Sequence, residues 1–145
     1  MRYQKLFEKN NILLFSYILF FAVLCIVYYL LSMENSFYSG ISGILLVILY
    51  PTGVFFYGYK TGDRFRAPLS GIVSYAFLIF LILLSANFHD FLNLSHLLLF
   101  TGYNLMLLIC LGLIGFLASG KEKLQLIIAG ILSVIWILIF ISGIS

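Results

Sequence analysis

Two histidines and an aspartate, His89, Asp90 and His96, fall in one short polar stretch that also holds Asn87 and Asn93. An imidazole near neutral pH is a nitrogen ligand or a proton shuttle, and a carboxylate beside it supplies an oxygen ligand or orients the ring. Glu34, from the preceding loop on the same side, could join them. The His89 to His96 spacing fits no zinc signature, and Phe91, Leu92 and Leu94 give the segment the character of an amphipathic turn at an interface. Asn93 or Ser95 is suited to cap the helix that begins with the next apolar run. The tripeptide Asn93-Leu94-Ser95 also matches a glycosylation acceptor. Loop polarity and capping are the first reading of this group, ahead of ligand binding or catalysis at an outer face, and neither a metal nor a cofactor is expected.

A second set sits inside apolar sequence. Tyr50-Pro51 interrupts a hydrophobic run, where proline removes one helical hydrogen bond and crowds the preceding turn, so a kink or local opening is expected, eased by Gly53. Asn104 is the polar residue most costly to expose to lipid. Were Asn104 to meet Tyr50 across neighbouring helices, the pair would be a packing bond or the floor of a small polar pocket. A third set, Lys60, Arg64 and Arg66, offers donors for a phosphate or lipid headgroup, with Asp63 neutralising one base and Gly62-Asp63 making a turn.

The elements that must position these residues follow from composition. The chain has 145 residues, 63% of them hydrophobic and only 9% charged, against roughly 25% charged in soluble domains. Lipid is therefore the solvent for most of its surface. Backbone polar groups in hydrocarbon must be satisfied internally, and the apolar runs are continuous over helical lengths rather than alternating as barrel strands do. The expected architecture is an all-α integral membrane protein of one domain, a bundle of five transmembrane helices over about 12–31, 40–59, 69–86, 94–118 and 124–141. The fourth, the longest, is expected to tilt, kink or project. The first run is too long for a cleavable signal and is read as an uncleaved span.

Charge sets the orientation. All eight Lys and Arg residues fall before the first span (Arg2, Lys5, Lys9), between the second and third (Lys60, Arg64, Arg66), or between the fourth and fifth (Lys121, Lys123). Alternating helices place these three regions on one side, and the positive-inside rule makes that side cytoplasmic. The N-terminus is then cytoplasmic and the C-terminus extracytoplasmic, with the cell membrane as the expected location. The basic loops suit anionic lipid headgroups. They are too short and scattered for a nucleic-acid footprint.

Helix-contact faces are written in small and polar residues. Ser39, Gly43, Val47, Tyr50, Val54 and Gly58 form one stripe on the second span, and Ala67, Gly71, Ser74 and Leu78 form another on the third. Thr101, Asn104, Leu108, Gly112, Gly115 and Ser119 follow on the fourth, and Ala129 and Ser133 on the fifth. Such faces allow close backbone approach. The first span is bulky throughout and belongs at the edge of the bundle, and Cys25 and Cys110 are read as small hydrophobes. No Asp, Glu, Lys or Arg lies within the spans, which counts against ion-coupled transport and weakens an intramembrane enzyme. At depth the polar groups are Tyr17, Tyr50, Tyr75, Asn104 and scattered hydroxyls.

The function these features point to first is that of a membrane subunit or accessory protein. It would act through helix association with another membrane protein or with itself, with membrane lipids as its other partner. A small transporter, channel or lipid-handling protein using Tyr50, Pro51 and Asn104 is the alternative. An enzyme acting on a lipid-borne substrate through His89, Asp90 and His96 is a third.

Overall fold

The computed structural model of the chain describes residues 2–34, 36–85 and 94–142, with side chains placed over 10–31, 40–84 and 97–142. These residues form five helices: α1 (Arg2–Glu34), α2 (Ser36–Thr61), α3 (Arg66–Ser85), α4 (Leu94–Gly120) and α5 (Lys123–Ser142). All five are long and apolar enough to cross a membrane. With 27 residues, α4 is about 40 Å long, which exceeds a hydrocarbon core of roughly 30 Å.

The turns that separate α2 from α3 and α4 from α5 are set by identifiable residues. Gly62 adopts φ 62° and its N–H donates to the Gly58 carbonyl at 2.8 Å, a left-handed C-terminal cap that glycine adopts without steric cost. Asp63 then starts α3: its Oδ1 accepts from the N–H groups of Phe65 and Arg66 at 3.1 and 3.0 Å. Pro68 falls in the first turn, where a missing N–H is harmless. At the other turn Lys121, not a glycine, takes φ 60°.

Among the described residues α2 touches every other helix, α4 touches α2, α3 and α5, and α1 touches only α2 and α3. The edge position expected for α1 is therefore observed, and Ile12, Phe15 and Leu19 on it are exposed. Close packing is most severe where α2, α3 and α4 converge. A Cβ at Gly115 would lie 2.6 Å from the Ala67 carbonyl oxygen, and one at Gly58 would lie 2.7 Å from the Gly115 oxygen. Backbone meets backbone here, which only residues without a side chain allow.

The stripes on α2, α3 and α5 face inward: Val47, Tyr50, Val54, Ala67, Ser74, Leu78, Ala129 and Ser133 are buried. On α4 the expected face is displaced. Asn104, Gly115 and Ser119 are buried, but Thr101 is exposed and Leu108 and Gly112 are half-buried. Leu107, Leu111, Ile114 and Ala118 line the contact instead. The reason is that large residues of α4 enter spaces left by small residues of α3: a Cβ at Gly71 would meet Leu111 Cβ at 3.2 Å.

Candidate functional site

The core of the bundle is polar as well as aromatic. Tyr50 is fully enclosed; its hydroxyl donates to the Ser74 carbonyl at 3.1 Å and lies 2.9 Å from Cys25 Sγ. Since the Tyr50 proton points to Ser74, the thiol is the donor to the Tyr50 oxygen. One side chain of α2 thereby ties α1 to α3. Cys25 is accordingly more than the small hydrophobe its sequence context implies.

Asn104 does not meet Tyr50. Its Oδ1 accepts from the Tyr75 hydroxyl at 3.0 Å, and its Nδ2 donates to the Phe100 carbonyl one turn back at 2.8 Å. Tyr75 stands between the two, its ring edge-on to Tyr50 at 5.7 Å. In place of a direct pair across α2 and α4 stands a chain, Tyr50, Tyr75 and Asn104, because α3 inserts an aromatic residue at this level. Asn104 is only 7% exposed.

Trp136 closes the same cluster from α5. It is fully buried, donates from Nε1 to the Leu107 carbonyl at 3.1 Å, and stacks on Phe140 at 5.1 Å. Its ring also meets Tyr75 edge-on at 5.7 Å. Sequence reasoning missed both Trp136 and the anchoring role of Tyr75. Trp136 lies one turn beyond Ser133 on the Ala129 and Ser133 face, and this spacing was the available signal. Tyr103 adds a further α4 to α5 tie, its hydroxyl donating to Ile139 and Phe140 carbonyls at 3.1 and 3.2 Å.

Around Pro51 the helix continues: α2 runs through it as one element. Pro51 is enclosed, and the adjacent Thr52 hydroxyl donates to the Ile48 carbonyl at 2.6 Å. Nearby, the Tyr17 hydroxyl is buried without a partner among the described residues, close above Gly53.

The basic turns lie side by side at one end of the bundle. Arg66 pairs with Asp63 at 2.6 Å. Arg64 sits over the Phe116 ring at 5.8 Å, and Lys121 Nζ lies beside Gly62. Lys60, Arg64, Lys121 and Lys123 are exposed. Burial alone would raise the Asp63 carboxyl, but the two backbone N–H donors and the Arg66 guanidinium outweigh it and hold the group below its ordinary value. The Tyr57 hydroxyl reaches the Asn10 carbonyl at 3.5 Å, so α1 brings its early residues to this same end.

At the opposite end an apolar cleft of about 730 Å³ opens among Tyr28, Gly43, Leu46, Leu78, Ile137 and Phe140. Neither Tyr50 nor Asn104 lines it. His89 and Asp90 lie outside the described residues, and Glu34 and His96 belong to α1 and α4 with side chains outside them. Compared with known proteins, the chain matches no family model, no curated relative and no solved structure.

Proposed function

We propose that this chain is a small multi-pass membrane subunit that acts by lateral helix association with a partner membrane protein or a second copy of itself. The observation that carries this reading is how the polar groups at depth are used. Cys25, Tyr50, Tyr75, Asn104, Tyr103 and Trp136 each bond across a helix contact, so the polar chemistry of the interior holds the bundle together. What the helices present outward is side chain and backbone for a neighbour. Gly102 on α4 and Gly130 on α5 have no described atom within 4 Å of a Cβ placed there, so a second helix could approach their backbones closely.

The clustering of Lys60, Arg64, Lys121 and Lys123 at one end supports an orientation with that end in the cytoplasm and touching anionic headgroups. The N-terminus is then cytoplasmic, the C-terminus is on the other side, and the cell membrane is the natural location. The enclosure of Tyr50 and Asn104 favours association over a passage through them.

The test is a photoreactive residue placed in the full chain at Gly102, Gly130 or, as a control, buried Leu107, and activated in native membranes. A discrete adduct from Gly102 or Gly130 and none from Leu107 is expected. Absence of a protein adduct at both of these open positions, in a correctly inserted chain, would overturn the reading.

A further inference from the structure

The apolar cleft lies at membrane depth. Its walls come from α2 between Gly40 and Ile48, from Leu78 and Ile82 of α3, from Ile137, Phe140 and Ile141 of α5, and from Tyr28 of α1; all of these belong to spans. From Gly40 to Ile48 the wall runs about 12 Å along the helix, close to the depth of one leaflet of a core about 30 Å thick. Ile44, Ile48 and Ile141 on its rim are exposed. They lie on the outer faces of α2 and α5, so the cleft opens towards whatever surrounds the bundle. In a bilayer that is hydrocarbon. Water has too few polar partners in such a space to be held there.

One wall residue is different. The Tyr28 ring faces Gly43, with its hydroxyl about 4.0 Å from a Cβ placed there, and this hydroxyl has no hydrogen-bond partner among the described residues. An apolar cleft one leaflet deep, with one hydroxyl in its wall that no described residue engages, matches a hydrocarbon chain ending in an ester carbonyl. From this we infer that the cleft between α2 and α5 is a binding site for an acyl chain of a membrane phospholipid, held from the leaflet opposite the basic loops. Gly40 and Gly43 are small because side chains there would fill the space. The site stands apart from the association reading: a subunit can hold a lipid whether or not a partner is bound.

Trp136, the one tryptophan of the chain, is a reporter in place. It is fully buried, and Phe140, which lines the cleft, stacks on it. The full chain is reconstituted in phosphatidylcholine vesicles whose acyl chains are brominated, and Trp136 fluorescence is compared with that in unbrominated vesicles. Quenching is expected in the native chain and is relieved in Gly40→Phe and Gly43→Leu, which occupy the space. Gly102→Phe, equally open but on α4, retains it. In a companion measurement, Tyr28→Phe lowers phospholipid retention through detergent exchange by about fivefold, the loss of one net hydrogen bond. Equal quenching in the native chain and both filling variants would overturn the inference. An unquenched Trp136 would do the same, since it would mean that a protein segment covers the cleft.

Discussion

The Tyr75 hydroxyl donates to Asn104 Oδ1 at 3.0 Å across α3 and α4, and this bond fixes how the amide buried among the apolar helices is used. Asn104 has both ends of its amide engaged, one by Tyr75 and one by the Phe100 carbonyl. Such a group contributes to stability through its partner, so the two residues must be energetically coupled. Tyr75→Phe and Asn104→Leu should each destabilise the bundle by about 1 kcal/mol. The double variant should cost less than the sum. A double-mutant cycle on reversible unfolding in bicelles measures this, and additive losses would show that the bond is not significant.

Glycines divide into two classes. Gly58→Ala and Gly115→Ala force a methyl group against the backbone of a neighbouring helix at under 3 Å, and should each cost about 1–3 kcal/mol as overpacking does. Gly102→Ala and Gly130→Ala meet nothing described within 4 Å and should be stable or slightly favourable. Thermal unfolding of the four variants in one detergent gives the comparison.

Thiol labelling should separate the cysteines. Cys25 is fully buried with its thiol bonded to Tyr50, whereas Cys110 is half-buried. In single-cysteine variants titrated with denaturant, a maleimide, which adds only to a hydrated thiolate, should modify Cys110 at lower denaturant than Cys25, whose labelling should follow global unfolding. Tyr50→Phe should raise the Cys25 rate.

Lys121 carries a left-handed backbone conformation that costs a residue with a Cβ about 1–2 kcal/mol. Lys121→Gly should therefore raise the unfolding free energy by about 1 kcal/mol. Gly62→Ala, at φ 62°, should lower it by a similar amount, with the unfolding midpoint as the readout.

The turn at Asp63 should respond to acid. Its carboxyl is held below the ordinary value in the folded protein, so its stabilising contribution is fully present above the ordinary carboxylate range. It is lost as the pH falls through the lowered value. Asp63→Asn should remove this component, so the native chain and the variant should converge in stability at the acid end of a pH series.

The helices were legible because continuous apolar runs of spanning length have one open-ended backbone solution in hydrocarbon, a helix, and five helices of that length and composition are observed. The inward faces of α2 and α3 were equally legible, since Val47, Tyr50, Val54, Ala67, Ser74 and Leu78 recur at helical steps and are buried. The face of α4 was not. Its small residues drew attention to Thr101 and Gly112, while Leu107 and Leu111 pack into spaces that α3 provides, and a single helix does not encode its neighbour's gaps. The same holds for the polar core. Asn104 was identifiable as a residue in need of a partner, but choosing Tyr75 over Tyr50 required the placement of α3. The cleft beside Gly40 and Gly43 was hidden for a related reason, because small residues read alike whether a helix or a lipid lies against them.

Lateral association is tested most directly by extracting the full tagged chain from its native membrane in a polymer nanodisc, without detergent, and measuring the mass of the intact protein complex. A defined stoichiometric assembly, with a second copy or with one other membrane protein, is expected. A single chain accompanied only by lipid would contradict the proposed function.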